Sequence, residues 1–460
     1  MAQGFWKNQR SYKTVFDMFF RRQPFGGGYS VLAGVEPLLQ AILDFQFSTD
    51  DIAYLREQKI FEEAFLQFLS SYRFSGDVYT MDEGSVIFPG EPIVRVEAPI
   101  IDALILEGLI LNTINFQSLI ATKTARIWLA SKKGAIMEFG MRRAQGYDGA
   151  MSATRASFIG GASGTSNALA GKLYDIPVMG TMAHSWIMSF DNEETAFQKY
   201  ADLYPNGSVF LIDTYDTLKS GIENAIKVGK RLQTQGKNFG VRLDSGDLDY
   251  LSKKVRERLD AAGCQNATIT VSNELTEQIV ESLVLNHAPI NSWGIGTHMV
   301  TGGNESSFTG VYKVAARENK DGSLLPVMKF SDNPAKRTTP GKKQVWRLYN
   351  TDGTFKADIL TLADETIECG VEQSFYHPEN DSQFFKCTPT KLEALLKPRI
   401  KDGKRVGEAI SLSEIKKYAE IQLDRLDETS KRILNPHIYK VSLSEKLKKL
   451  KQQLIRENFS

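Results

Sequence analysis

Apolar residues recur along the chain at three different spacings, and each spacing predicts its own kind of element. From Tyr79 to Val96 short extended runs alternate with the turn signals Glu83-Gly84 and Pro89-Gly90, which predicts antiparallel sheet. From Asp102 to Ala130 the apolar positions fall three and four apart, which predicts one long amphipathic helix. These two stretches are expected to share one mixed α/β domain. From about Gly134 to Phe330 strand and helix patterns alternate. The strand candidates are 134–140 (GAIMEFG), 177–183 (PVMGTMA), 209–215 (VFLIDTY), 239–244 (FGVRLD), 267–273 (ATITVSN) and 292–297 (SWGIGT). The last four start 30, 28 and 25 residues apart, with helical patterns such as TLKSGIENAIKVGKRL between them. A period of that length is one βα unit, and a succession of units makes a doubly wound sheet or a (β/α) barrel. No G-x-G-x-x-G follows any of these strands, and nearly every strand ends in polar or glycine residues, so the expectation is a barrel.

The tail from Lys391 onward predicts two helices, SLSEIKKYAEIQLDRL and SLSEKLKKLKQQLI, with basic residues on their outer faces. It carries 17 Lys and Arg against 10 Asp and Glu, so the rest of the chain is net acidic. Solvated helix surface and an interaction surface both account for that bias. Over all 460 residues the balance is 56 basic to 55 acidic, a net charge of +1, which argues against a general nucleic-acid or anionic-membrane binder. No sequence repeat and no low-complexity tract is present, and the length suits two or three domains or one large barrel. Cys264, Cys369 and Cys387 form no C-x-x-C pair, which points to a reducing compartment and away from a disulfide scaffold or zinc knuckle. The N-terminus lacks an apolar leader core, and the apolar run from Ile100 to Ile110 is broken by Asp102 and Glu107. No spanning segment is therefore expected, and the location expected is cytoplasmic.

The predicted strand ends gather an unusual set of residues. Asp213 follows FLI; Arg242, Asp244 and Asp247 lie in VRLDSGDL; Ser272 and Asn273 end TITV; Gly294, Gly296 and Thr297 end the next strand. Glycines and hydroxyls there leave backbone N–H groups free for phosphate oxygens, and a following helix adds its dipole. Nearby aspartates suit Mg²⁺ on a polyphosphate, because that ion takes carboxylate and water oxygens. Any one such aspartate is more often a helix N-cap, but several consecutive strands ending this way favour a phosphorylated substrate. His184, closing GTMAH, is either a general base, nucleophile or phosphoryl acceptor, or a capping or buried structural histidine. No H-x-x-x-H pair is present, so a zinc site is not expected. Arg142 and Arg143 suit a carboxylate or phosphate, or a structural ion pair, and Phe139 suits an aromatic ligand, or the core. There is no Walker loop, and the acidic T-G-G-T-like turn by which many phosphoribosyltransferases grip their sugar diphosphate is also missing.

Taken together, the motifs resemble those of the nicotinate phosphoribosyltransferase family, the type II phosphoribosyltransferases. FDMFFRRQPFGGGYSVLAG, GEPIVRVEAP, LNTINFQSLIATKTAR, EFGMRRAQGYDGAMSATRASFIGGASGTSN, GTMAHSW, LIDTYD, VRLDSGDL, VSNEL, GIGTHMVTGG, KRTTPGKKQVWR and KRILNPHIYKVSLSEKL follow in the family's order over nearly the whole chain. The resemblance implies an N-terminal α/β sandwich-like domain (1–130), an irregular (β/α) barrel holding the active site (131–345), and a C-terminal segment (346–460). That segment's strands would rejoin the N-terminal domain before its helices. It implies transfer of phosphoribosyl from 5-phosphoribosyl-1-diphosphate to nicotinate, the first step of NAD salvage from that acid. ATP hydrolysis would be coupled through a phosphohistidine at His184, with Mg²⁺ on the diphosphate and Asp244 and Asp247 as candidate ligands. By motif match Arg242 lies beside the ring and its carboxylate, Phe139 stacks on the ring, and Arg142 meets a phosphate. Asp213 and Asp244 address ribose hydroxyls or the metal-bound diphosphate. Ser272, Asn273, Gly294, Gly296 and Thr297 cradle the 5-phosphate, and Thr181 is also among the substrate-binding residues. A homodimer with a shared active site is implied.

Related nicotinamide enzymes place an aspartate where Asn167 stands here, and an uncharged residue favours the acid over the amide. The family's usual Asp-x-Tyr-x-x-Thr-Met-Ala opening is matched only at its end by Met1–Phe5, so a chain without that tyrosine is expected to show a raised nicotinate KM. The alternatives are a quinolinate or nicotinamide phosphoribosyltransferase, or an inactive relative that binds a pyridine or phosphosugar.

Overall fold

The computed structural model describes residues 1–8, 11–331, 336–380 and 382–459. They divide into two compact units, one formed by 1–119 with 307–460 and the other by 120–306.

The first unit is built on a seven-stranded antiparallel sheet. Its order is Leu324–Pro326, Gly310–Glu318, Lys13–Phe20, Val94–Pro99, Asp77–Thr80, Lys397–Lys401 and Lys404–Arg405. The expected antiparallel stretch from Tyr79 to Val96 supplies two of these strands. Met18, Phe20, Val78, Val94 and Val96 are fully buried with Leu38 and Ile110 in the core of this unit. A second, six-stranded sheet runs through Phe355–Leu362 and Lys343–Tyr349. Inside it the guanidinium of Arg347 is wholly buried and donates to both oxygens of Asp358, at 2.9 and 2.5 Å. Tyr439 donates to the same carboxylate at 3.0 Å and stacks on Phe88. Burial pushes the neighbouring Glu91 carboxyl well above the usual range, and the negative charge of Asp358 adds to the shift. The motifs GEPIVRVEAP and NPHIYKVS thus supply parts of a buried polar cluster. In the tail the helices Leu412–Asp424 and Glu445–Phe459 are present. Not all their basic residues face outward: Lys451 is buried and donates to the Pro378 carbonyl, and Lys448 lies over the Tyr376 ring. Their aliphatic stems cover apolar surface, which a charge count does not reveal.

The second unit holds a six-stranded, wholly parallel sheet in the order Gly164–Thr165, Ala135–Glu138, Ser292–Ile295, Thr268–Ser272, Gly240–Leu243, Val209–Leu211. Helices such as Ile222–Thr234, Leu248–Ala261 and Glu277–Leu285 connect successive strands. Val241, Leu243, Ile269 and Val271 are fully buried on one face of this sheet. No ladder among the described residues joins the two ends of the order.

Two sequence expectations need correction. The run 177–183 is not a strand: Val178 alone makes an isolated bridge, to Thr165, and 177–180 are exposed. Pro177 has no N–H to give a ladder, and Gly180 weakens strand pairing. The helix Ile100–Ala130 is not amphipathic throughout, because 117–128 are buried on every face. By length and composition it is also apolar enough to cross a membrane, which the sequence reading did not anticipate. Its Lys123 and Arg126 are nevertheless buried against Glu277, at 2.5 and 3.0 Å, as in a core helix.

Candidate active site

The C-terminal ends of two parallel strands and the start of the short helix His184–Met188 bring the four expected catalytic residues into one array. Arg242 lies between the buried Val241 and Leu243, so alternation along the strand turns its side chain to the opposite face, where it is 13% exposed. Its guanidinium makes three bonds below 3.0 Å, to residues of three segments. Nε donates to Ser272 Oγ at 2.8 Å, Nη1 to Thr181 Oγ1 at 2.8 Å and Nη2 to Asp244 Oδ1 at 2.9 Å. The Phe139 ring lies beside it, 5.5 Å from guanidinium carbon to ring centroid. Burial pushes the Asp244 carboxyl up, but the Ser272 hydroxyl and the Arg242 guanidinium outweigh it and hold it below the usual range. Asp244 is therefore ionised at neutral pH.

Asp213 is anchored from the neighbouring strand. One oxygen accepts from the Asp244 backbone N–H at 2.9 Å and from Ser245 Oγ at 2.6 Å. The other, Oδ1, is buried without a hydrogen-bond partner among the described residues. It lies 4.0 Å from Nε2 of His184, whose side chain is 41% exposed, and the same Nε2 is 3.6 Å from Asp244 Oδ2. Nδ1 of that ring sits 3.0 Å from the Thr214 hydroxyl. The imidazole is thus neither buried nor a helix cap.

The remaining expected residues divide. A Cβ on Gly294 would come within 2.7 Å of Cε2 of Phe139, so glycine there lets the ring lie over the strand end. A Cβ on Gly296 would come 3.1 Å from the Phe139 carbonyl oxygen. Asn273 holds φ at 115°, uncommon for a residue with a side chain, directly after Ser272. The Thr297 hydroxyl is engaged by Glu274 at 3.1 Å. Arg142 lies in the short turn Met141–Arg143, exposed and without an acidic partner among the described residues. Asp247 accepts from the Tyr250 N–H at 3.1 Å and caps the helix Leu248–Ala261. This is the common role of a strand-end aspartate. Asn167 is 1% exposed and caps Ala168–Tyr174 through the Ala170 N–H, so its amide is committed within the fold.

Among the described residues no group of three or more His, Cys, Asp and Glu side chains is disposed to hold a metal ion. The unpartnered Asp213 Oδ1 beside Asp244 Oδ2 is still the oxygen donor chemistry that suits Mg²⁺ shared with a diphosphate. Sequence reasoning passed over Glu138, which is buried and accepts from Thr154 at 2.9 Å, Thr165 at 2.5 Å and the Gly140 N–H. It pins the turn that carries Phe139, and its signal was an acidic residue inside the apolar run GAIMEFG. Thr214 and Ser245 gave no comparable signal. A cavity of about 460 Å³, lined by Asp247, Asn273, Glu274 and Ile279, adjoins the strand ends. A cavity of about 1000 Å³ lies within the first unit among Phe20, Arg21, Phe375 and Tyr439.

Comparison with known proteins agrees with these motifs. The nicotinate phosphoribosyltransferase family model matches residues 135–359, and models for the N-terminal and C-terminal domains of that enzyme match 1–115 and 342–451. Nicotinate phosphoribosyltransferase of Bacillus subtilis is 40% identical over 459 residues, covering 99% of this chain and 93% of that one. The chain belongs to the nicotinate phosphoribosyltransferase family. The human member is 31% identical over 513 residues, covering 99% of this chain and 94% of its own. The crystal structure of human nicotinic acid phosphoribosyltransferase superposes with a TM-score of 0.87 at 29% identity, over 99% of this chain and 98% of that one. A nicotinate-nucleotide pyrophosphorylase from Pyrococcus furiosus gives a TM-score of 0.72 at 23% identity over 92% of each chain, a likeness of fold alone.

Proposed function

We propose that this member of the family transfers the phosphoribosyl group of 5-phosphoribosyl-1-diphosphate to the ring nitrogen of nicotinate, forming nicotinate mononucleotide and diphosphate in NAD salvage. ATP hydrolysis is coupled to the transfer through a phosphohistidine at His184. The observation that carries this reading is the continuous array Arg242–Asp244–Asp213–His184 at parallel strand ends, beside an aromatic ring.

Phe139 stacks on the pyridine ring, and Arg242 turns part of its fork from Thr181 to the nicotinate carboxylate. Ser272, Asn273, Gly294, Gly296 and Thr297 receive the 5-phosphate, and Arg142 meets a further phosphate. During transfer the bond from ribose C1 to diphosphate oxygen breaks with its electron pair, and the pyridine nitrogen bonds to C1 from the opposite face. Asp213 and Asp244 hold the ribose hydroxyls and, with positive charge developing at C1, favour the transition state electrostatically. Asp213 and Asp244 would hold a Mg²⁺ that enters with the sugar diphosphate, and that ion would supply positive charge for the leaving diphosphate. The carboxylate-binding Arg242 favours nicotinate over nicotinamide.

Three finer features belong to the same proposal. The parallel sheet curves as an incomplete, irregular (β/α) barrel. The enzyme is a homodimer with a shared site, which the family resemblance supports, and is cytoplasmic, which three free cysteines support. The test of the reaction is chromatographic assay of mononucleotide from nicotinate, nicotinamide and quinolinate, with and without ATP. The proposal expects product from nicotinate, faster with ATP. Turnover of quinolinate with release of carbon dioxide, or of nicotinamide in preference to nicotinate, would refute it.

A further inference from the structure

We infer that Thr214 is the positioning residue that orients the His184 imidazole for phosphoryl acceptance, an inference resting on the reading that His184 is phosphorylated. His184 opens a helix of only five residues, His184–Met188, and the cap residue Ala183 offers no side-chain bond. Its side chain is 41% exposed, so packing covers the ring only in part. The carboxylates facing Nε2, at 3.6 and 4.0 Å, stand beyond hydrogen-bond distance. What holds the ring is the contact of Nδ1 with Thr214 Oγ1 at 3.0 Å. Asp213 and Thr214 are successive residues after the strand Val209–Leu211, so one dipeptide addresses both ring nitrogens. A hydroxyl suits that task because it both donates and accepts, and so keeps the ring in place whichever nitrogen carries the proton.

In the step concerned, the bond between the γ-phosphorus and its bridging oxygen breaks and ADP leaves with the electron pair. A phosphorus–nitrogen bond forms on the ring, and the ring's surplus proton passes to solvent. In-line attack needs the imidazole held at a defined angle, and small misplacements of a reacting group cost about a hundredfold.

The test compares wild type, Thr214→Ser and Thr214→Val, incubated with γ-labelled ATP and followed by mapping of label on the His184 peptide. Valine matches threonine in shape and lacks only the hydroxyl, and thermal melting checks that each variant folds. The expected result is labelling slowed at least ~10-fold in Thr214→Val and restored to within about threefold of wild type in Thr214→Ser. The ATP-stimulated kcat of Thr214→Val falls in step, with nicotinate KM changed less than about twofold. Labelling of a folded Thr214→Val at the wild-type rate overturns the inference, and so does a folded Thr214→Ser as slow as the valine variant. Absence of label from the wild type itself overturns the phosphohistidine reading on which it rests.

Discussion

Replacing Arg242 by lysine keeps the charge and removes the fork. The guanidinium spans three acceptors on three separate segments, at 2.8, 2.8 and 2.9 Å, from three different nitrogens. A single ammonium cannot reach all three, and the contact it retains best is the one to ionised Asp244. Ser272 then loses a charged donor, and the nicotinate carboxylate meets a point charge instead of a planar fork. One hydrogen bond to a charged group contributes about 1.5–3 kcal/mol, so kcat/KM for nicotinate should fall roughly 10- to 150-fold. Most of the loss should appear in KM, because the contact exists in the ground state as well as the transition state. The assay is initial-rate formation of mononucleotide across a nicotinate series at saturating sugar diphosphate and ATP, with a melting curve to exclude unfolding. A folded Arg242→Lys enzyme within twofold of wild type would refute the assignment of Arg242 to the carboxylate.

Gly294→Ala drives a methyl group into the edge of the Phe139 ring, at 2.7 Å before relaxation, and overpacking of that kind costs about 1–3 kcal/mol. Nicotinate KM should rise, and an unchanged KM would mean that Phe139 does not bear on the pyridine. Glu138→Gln sets an amide against the Thr154, Thr165 and Gly140 donors and should destabilise the fold by about 1–3 kcal/mol. Chemical denaturation measures this, and wild-type resistance would show that Glu138 does not pin the Phe139 turn. For Glu277, burial pushes the carboxyl up, but Lys123 and Arg126 outweigh it and hold it below the usual glutamate range. With the folded-state value depressed, its contribution is full above the unfolded-state value and fades as pH falls through the folded one. Glu277→Gln breaks a buried pair and should cost about 3–5 kcal/mol near neutral pH, with the deficit shrinking at acid pH; a deficit growing as pH falls would contradict that sign.

The four strands starting at Val209, Gly240, Thr268 and Ser292 were legible because short, mostly apolar runs recur at near-regular spacing with helical patterns between them. The same rule over-read 177–183, where an apolar run lies exposed beside a two-residue strand. Composition does not distinguish a buried strand from an apolar edge segment; packing does. The helix Ile100–Ala130 was legible in extent and not in burial, since all-round burial depends on neighbours distant in sequence. Within the candidate site, Arg242 and Phe139 were recognisable as neighbours through motif resemblance, and the structure brings them together. Asp247 illustrates the limit of spacing, because its capping bond to the Tyr250 N–H is visible only in the structure. Thr214 was illegible because its partner lies 30 residues away.

The central claim, that the His184 array couples ATP to nicotinate phosphoribosylation, is tested most directly by counting ADP and nicotinate mononucleotide in one reaction for wild type and His184→Ala. The wild type should form both products. The alanine variant should form mononucleotide more slowly, with no ADP linked to turnover. Nicotinate-dependent ADP from His184→Ala at the wild-type rate, or no mononucleotide from the wild type, would contradict the account.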